Sequence, residues 1–161
     1  MRLDLRAPTA EDTRAIGECL APLLVVGDAI ALTGELGAGK TTFAQGLARG
    51  LGFAGHVQSP TFTLVREYRS GRVPIVHADV YRLDRVQDVI DLDLEESAED
   101  GILLVEWGDV VEALLPAGHL VVELSAPAGD ERSIRFQSEG HAWLPRWERL
   151  ERALEPWRVA A

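Results

Sequence analysis

Residues 34–42 read GELGAGKTT and contain the only lysine of a 161-residue chain that otherwise uses arginine as its basic residue. The segment fits the pattern G-x-x-x-x-G-K-[ST], with Gly34, Gly39, Lys40 and Thr41 at the fixed positions. Glycines permit positive φ angles and let the backbone approach phosphate oxygens. Lysine supplies a compact point charge, for which the planar fork of arginine is a poor substitute. The segment therefore predicts a phosphate-binding loop in which Lys40 reaches the β and γ phosphates and Thr41 holds Mg²⁺.

A phosphate-binding loop needs a strand before it and a helix after it. The apolar run DAIALTG (28–34) predicts a buried strand, and KTTFAQGLARGLG (40–52) places Phe43, Leu47 and Leu51 on one helical face. A glycine-rich turn that merely caps an ordinary helix is the alternative interpretation. The strand–loop–helix order weighs against that alternative, because it is the arrangement that a nucleotide-binding loop requires.

Two acidic residues follow apolar strands elsewhere in the chain. Glu106 ends the run ILLVE, and Asp79 ends VPIVHAD. The carboxyl ends of strands are where open α/β sheets bind ligands, so either carboxylate is a candidate for holding Mg²⁺ or orienting water. The alternative is that each acid simply leaves the sheet into solvent. The sequence assigns neither residue as a general base.

Other polar residues near these strands could be functional or structural. Ser59, Thr61 and Thr63 crowd the segment QSPTFTLVREY (58–68), which is either a loop that senses the γ-phosphate or an ordinary turn before a strand. His77 is interpreted as a structural histidine. Arg82 is either an arginine finger in cis or, as we favour, a partner in a surface ion pair.

The remaining patterns predict the rest of a mixed α/β chain. They indicate a first helix that begins with a capping box at Thr9 and Asp12, two strands around a turn at 70–71, an acidic segment that is helix or irregular loop, two late strands, and a C-terminal helix. Trp143, Trp147 and Trp157 are interpreted as packing residues.

Length and composition are those of one globular domain spanning residues 1–161, with 47% hydrophobic and 26% charged residues. No apolar run suits a membrane span or a secretory signal, which predicts a cytoplasmic protein without a membrane partner. The net charge of −10 argues against a protein that grips nucleic acid by itself. Residues 86–131 lack any Lys or Arg, so this stretch is either a solvated acidic surface or a docking face for a basic partner.

Three stretches together resemble one family. GELGAGKTTF, SPTFTLVREY with HADVYRL, and LLVEWGD are similar in order and spacing to the TsaE family of small P-loop ATPases, which act in bacterial tRNA threonylcarbamoyladenosine biosynthesis. The similar region runs from about Thr9 to Leu124. The resemblance implies an α/β, P-loop NTPase-like three-layer fold with a central, largely parallel sheet that carries antiparallel additions.

The resemblance also implies a site for ATP and Mg²⁺. Lys40, Asp79 and Glu106 would be its catalytic residues, and Thr41 and Glu106 would hold the metal. The residues implied to bind the nucleotide are Ala10, Gly37, Ala38, Gly39, Lys40, Thr41, Thr42, Trp107 and Arg132.

The family resemblance implies a helper ATPase that acts on a complex of the TsaD and TsaB proteins and meets tRNA only through that complex. Its hydrolysis would be slow alone and stimulated by the partners. Two other classes remain open. A P-loop kinase for a small molecule would use an arginine-rich lid, for which Arg66, Arg69 and Arg72 are candidates, and an adaptor would use nucleotide binding alone to drive assembly.

Overall fold

The computed structural model describes residues 1–60, 65–80, 86–91, 93–107 and 112–160. Its strands are β1 (Arg2–Ala7), β2 (Ala29–Thr33), β3 (Val65–Tyr68), β4 (Ile75–Asp79), β5 (Ile102–Glu106), β6 (Leu120–Ala128) and β7 (Glu131–Ser138). They form one seven-stranded sheet in the order β1-β7-β6-β2-β5-β4-β3. The central strands β6, β2, β5 and β4 are parallel, and β1, β7 and β3 pair antiparallel to their neighbours. This confirms the predicted largely parallel sheet with antiparallel additions.

The helices are α1 (Ala10–Leu20), α2 (Lys40–Gly50), α3 (Val86–Asp91), α4 (Leu94–Ser97) and α5 (Leu144–Ala153). Short 3₁₀ helices follow α1 and α5 at Ala21–Leu23 and Glu155–Trp157. The capping box predicted for α1 is confirmed, because the Asp12 N–H donates to Thr9 Oγ1 at 3.1 Å and the Thr9 N–H donates to the Asp12 carboxylate at 3.0 Å.

Apolar residues alternate between the two faces of the sheet, as the strand period of two requires. On β5, Ile102 and Leu104 join the large core that includes residues of α1, α2 and α5. Leu103 and Val105 join a smaller core on the opposite face, together with Leu94 of α4. The two cores give the predicted three layers, and α2 lies on the face with the larger core.

Most sequence predictions of secondary structure are confirmed. The strands around 70–71 and the two late strands form the antiparallel pairs β3–β4 and β6–β7, although residues 61–64 lie outside the described part. The acidic segment forms the short helices α3 and α4, and both Trp143 and Trp147 are buried in the core. Strand β1 is not predicted by the sequence pattern; it is an arginine-containing edge strand that is stabilised by pairing with the distant β7. No described helix is long and apolar enough to cross a bilayer.

Helices α1 and α2 pack with almost no space between their backbones. A Cβ atom on Gly17 would lie 2.5 Å from the Phe43 carbonyl oxygen, and one on Gly46 would overlap the Arg14 carbonyl. Both neighbours are backbone atoms that cannot rotate away. The two glycines therefore set the distance at which α2, and the loop before it, lies against the rest of the fold.

Replacing Gly46 by alanine is expected to destabilise the protein by about 3 kcal/mol, because the added methyl group forces the helices apart. Helix propensity alone predicts the opposite, a gain of about 1 kcal/mol from glycine to alanine. Urea unfolding followed by circular dichroism measures the sign directly. A variant that is more stable than the parent would show that the helices do not pack as described.

Candidate functional site

The loop between β2 and α2 depends on glycine at three positions. Gly34, Gly37 and Gly39 have φ angles of 139°, 80° and 102°, which L-residues with a side chain rarely adopt. A side chain on Gly34 would also overlap the Leu124 carbonyl of β6, whereas a Cβ on Gly37 would meet no atom within 4 Å. The loop is thus held against the sheet at its first residue and open at its crest, where a ligand can approach the backbone.

The packed helices α1 and α2 differ in how their N-terminal ends are capped and charged. Helix α1 carries a side-chain cap and two acidic residues in its first turn. Helix α2 has Gly39 as its N-cap residue, which has no side chain to cap the helix, and its first turn contains no acidic residue. The first N–H groups of any helix lack partners within the helix and carry a partial positive charge. The start of α2, at Lys40, Thr41 and Thr42, is therefore suited to an anion such as phosphate.

Lys40 is buried, with 6% of its surface exposed. Its Nζ donates hydrogen bonds to the carbonyl oxygens of Gly34 at 2.6 Å and Glu35 at 2.9 Å. The ammonium also lies 4.2 Å from the centroid of the Trp107 ring, a distance at which the charge is attracted to the aromatic face. These contacts hold the charge at the loop.

Trp107 has a φ angle of 62°, which is uncommon for a non-glycine residue and costs about 1–2 kcal/mol. Its N–H donates to the Leu32 carbonyl of β2 at 2.8 Å, so the strained residue is fixed to the strand that leads into the loop. This backbone turn directly follows Glu106. It brings the indole ring to Lys40.

Asp79 and Glu106 end neighbouring parallel strands and are paired in register. Both are 2% exposed. Because side chains alternate along a strand, Asp79 shares its face with Ile75, and Glu106 shares its face with Leu104. Both apolar residues belong to the core that contacts α2. The structure thus brings both predicted carboxylates to the α2 face at the carboxyl edge of the sheet.

The Glu106 carboxylate contacts two polar side chains. Ser59 Oγ donates to Glu106 Oε2 at 3.4 Å, and His77 Nε2 lies 3.3 Å from Oε1. The second contact has ion-pair distance but misses hydrogen-bond angles, so Oε1 is buried without a hydrogen bond in the described structure. Such an atom in a protein interior usually has a ligand, a water molecule or a small rearrangement to satisfy it.

The described residues contain no group of three or more His, Cys, Asp and Glu side chains placed to hold a metal ion. Mg²⁺ at a nucleotide site takes few protein ligands, because phosphates and water complete its octahedron. One carboxylate with an unsatisfied oxygen, Glu106, and one hydroxyl at the first turn of α2, Thr41, fit that demand. The donor set is thus compatible with Mg²⁺ that arrives with a nucleotide.

Arg132 of β7 lies against the loop. Its Nη2 donates to the Gly37 carbonyl at 3.4 Å, and a Cβ on Gly39 would lie 3.3 Å from its Nε. Ala10 is exposed at the start of α1, three residues beyond Ala7, which pairs with Arg132 across β1 and β7. The two residues predicted to line the base or ribose therefore lie at the same end of the sheet as the loop. Their role in binding stays a prediction.

The arginines that could form a kinase lid do not converge. Arg66 donates to Gln58, Arg69 pairs with Glu67, and Arg72 donates to the carbonyls of Ala21 and Leu24. The first two contacts are local to the β3–β4 hairpin, and the third ties the hairpin turn to the segment after α1. Thr61, Thr63 and Arg82 lie outside the described residues.

Sequence reasoning missed Tyr68, whose hydroxyl lies 3.0 Å from His77 Nδ1 behind Glu106. The alternation in VHAD could have placed His77 on the face of Asp79, but the strand register that adds Tyr68 is not visible in the sequence.

The family model described as "Threonylcarbamoyl adenosine biosynthesis protein TsaE" matches residues 7–134. The chain belongs to the TsaE family. Proteins named tRNA threonylcarbamoyladenosine biosynthesis protein TsaE are 40% identical in Bacillus subtilis, over 94% of this chain and 95% of the relative, and 40% identical in Streptomyces coelicolor, over 81% and 93%. The crystal structure of Bacillus subtilis YdiB superposes with a TM-score of 0.81 at 37% identity and covers 94% of this chain and 95% of its own.

Membership in the TsaE family places the chain in threonylcarbamoyladenosine biosynthesis. The motifs on which the resemblance depends, at 34–43, 59–68 with 77–83, and 103–109, all lie within the matched residues. The match ends before α5, so the C-terminal helix with its packed tryptophans lies outside the family model.

Proposed function

We propose that this chain is a Mg²⁺-dependent, ATP-binding and ATP-hydrolysing helper protein for the N6-threonylcarbamoyladenosine modification of tRNA, and that it acts in the cytoplasm on a complex of TsaD and TsaB. The observation that carries the proposal is the convergence of three features at one edge of the sheet. These are the uncapped N-terminus of α2, the buried Lys40 ammonium, and the pair of buried carboxylates at Asp79 and Glu106.

The charges of the site suit the transfer of a phosphoryl group from ATP to water. The N–H groups of α2 and the Lys40 ammonium would stabilise the charge on the β and γ phosphates, and Arg132 would support the loop through Gly37. Mg²⁺, held by Thr41 and Glu106, would neutralise phosphate charge. Because Glu106 would hold the metal, Asp79 beside it is the carboxylate that remains to orient the attacking water.

The charge of the chain supports action through partner proteins. A net charge of −10 opposes direct binding to the phosphate backbone of tRNA. The exposed residues Glu99, Asp100 and Glu112 belong to the stretch without Lys or Arg, and such a surface is complementary to a basic protein. The modified tRNA would then be bound by the partners, while this chain supplies the nucleotide cycle.

The test is release of phosphate from ATP by the purified chain, alone and with the TsaD–TsaB pair and tRNA. Each condition is repeated with Lys40→Ala, which removes the ammonium. We expect slow release by the chain alone, an increase on addition of the partners, and loss of both rates in the variant. The variant's unfolding temperature shows that the loss is not a loss of fold.

Three other outcomes would overturn the proposal in different ways. Absence of any response to the partners would refute the helper role. Appearance of the γ-phosphate on a small acceptor would replace hydrolysis by a kinase reaction. Assembly with the partners that needs ATP but persists in a variant without hydrolysis would identify a nucleotide-dependent adaptor.

A further inference from the structure

Two buried polar side chains stand behind Glu106 and have no part in the hydrolysis scheme above. Tyr68 on β3 and His77 on β4 are 4% and 0% exposed. The Tyr68 hydroxyl lies 3.0 Å from His77 Nδ1, and His77 Nε2 lies 3.3 Å from Glu106 Oε1. The three side chains form a chain of contacts from the edge strand β3 to the Glu106 carboxylate.

The hydroxyl proton of Tyr68 can be given to only one of two acceptors. These are His77 Nδ1 and the Gln58 carbonyl oxygen, which is 3.2 Å away. If the proton goes to Gln58, then His77 Nδ1 must carry a proton itself, and a neutral ring would turn the lone pair of Nε2 toward the carboxylate. If the proton goes to Nδ1, then Nε2 carries its proton toward Glu106, where it meets an acceptor.

The electrostatics of the buried carboxylate favour the second arrangement, because two acceptors 3.3 Å apart repel each other. Burial raises the pKa of Tyr68 to about 12, so the hydroxyl keeps its proton throughout the neutral range. Tyr68 thereby acts as a donor that fixes which nitrogen of His77 is protonated, in the way that partners of histidines at metal sites do.

The contact between His77 and Glu106 is close but not aligned. Nε2 and Oε1 are both buried, and within the described residues neither has a hydrogen bond of good geometry. Hydrogen bonds of this kind are often long in the free enzyme and tighten in the complex with substrate. The other oxygen, Oε2, accepts from Ser59, so each carboxylate oxygen has one polar side chain within 3.4 Å and keeps a lone pair for a metal ion.

We propose that His77 is a positioning residue that orients the Glu106 carboxylate for Mg²⁺, and that Tyr68 sets the tautomer of His77. This inference rests on the proposed function, since it assigns a role toward the metal of that site. The HAD motif would then contribute two functional side chains, His77 and Asp79. The motif supplies the water-orienting candidate, Asp79, and the support for the metal ligand on the neighbouring strand.

A matched pair of substitutions at His77 separates positioning from packing. His77→Gln places an amide near the position of Nε2 and keeps a donor for Glu106. His77→Asn places its amide near the position of Nδ1, so it keeps a partner for Tyr68 and loses the donor for Glu106. Tyr68→Phe keeps the ring and removes only the hydroxyl.

The measurement is calorimetric binding of a non-hydrolysable ATP analogue over a range of Mg²⁺ concentrations and in EDTA, with thermal unfolding of each variant. We expect His77→Asn to weaken the apparent Mg²⁺ affinity about 10- to 100-fold, and binding in EDTA to stay unchanged. The Mg²⁺ affinity of His77→Gln should stay near that of the parent, and that of Tyr68→Phe should lie between those of the two His77 variants.

Equal effects of the Asn and Gln variants on the Mg²⁺ affinity, or a loss of binding in EDTA as well, would overturn the positioning role. If the Asn variant does not fold, Tyr68→Phe decides, and a Mg²⁺ affinity equal to that of the parent would refute the inference.

Glu106→Gln in the same titration distinguishes this inference from the proposed function. If Glu106→Gln leaves the Mg²⁺ dependence unchanged, Glu106 is not a metal ligand and the proposed site is wrong. If Glu106→Gln removes the dependence and His77→Asn behaves as the parent, the proposed function stands and only the role of His77 is refuted.

Discussion

Replacing Lys40 by arginine is expected to lower the rate of ATP hydrolysis at least about 100-fold, although the charge is conserved. The reason is the shape of the space around Nζ. It is enclosed by the carbonyls of Gly34 and Glu35 at 2.6 and 2.9 Å and by the Trp107 ring at 4.2 Å. A planar guanidinium is wider than an ammonium and spreads its charge over three nitrogens, so it cannot occupy this space and reach the same phosphate oxygens.

The matched control is the reverse exchange on the exposed part of the same helix, Arg49→Lys. Arg49 pairs with Glu11 and Glu18 on the surface, and such pairs contribute little to stability. Phosphate release and the unfolding temperature are measured for both variants. A Lys40→Arg protein that hydrolyses ATP at the rate of the parent would show that the loop needs a positive charge but not a lysine.

Glu106→Gln is expected to lower the rate of Mg²⁺-dependent hydrolysis about 100-fold or more and to leave the protein at least as stable as the parent. The loss follows from the removal of the anionic metal ligand. The variant should be at least as stable as the parent because the parent buries two like charges on neighbouring strands, at Asp79 and Glu106, which repel each other. A neutral amide of the same shape removes that repulsion and can still accept from His77. We expect a gain of about 1 kcal/mol, which corresponds to about 2–4 °C in the unfolding temperature.

The control for this prediction is Glu99→Gln, the same chemical change at an exposed position. It should alter neither hydrolysis nor stability measurably. The measurement is phosphate release against Mg²⁺ concentration, followed by thermal unfolding without nucleotide. A Glu106→Gln protein that unfolds several degrees below the parent would contradict the account, because it would show that the carboxylate stabilises the fold without a metal.

The phosphate loop could be predicted from the sequence because its information is contiguous. Nine residues carry the glycines with positive φ, the lysine and the first turn of α2, and the flanking apolar patterns show the strand and the helix. The two carboxylates could also be located, since an acid that ends an apolar run lies at the carboxyl edge of a sheet. The three motifs in order were sufficient to indicate the family, and the family model matches.

The contacts between these parts were decided by the tertiary structure. The strand register pairs Asp79 with Glu106 and brings His77 and Tyr68 behind the carboxylate, and an unusual φ angle at Trp107 turns its ring over Lys40. Pairing with β7 likewise forms the unpredicted β1, and the same strand brings Arg132 to Gly37. A one-residue change of register would move every side chain of a strand to the opposite face, and local residue patterns do not encode which distant strand is the neighbour. The sequence alone therefore determines which groups can do the chemistry, and long-range pairing determines which of them meet.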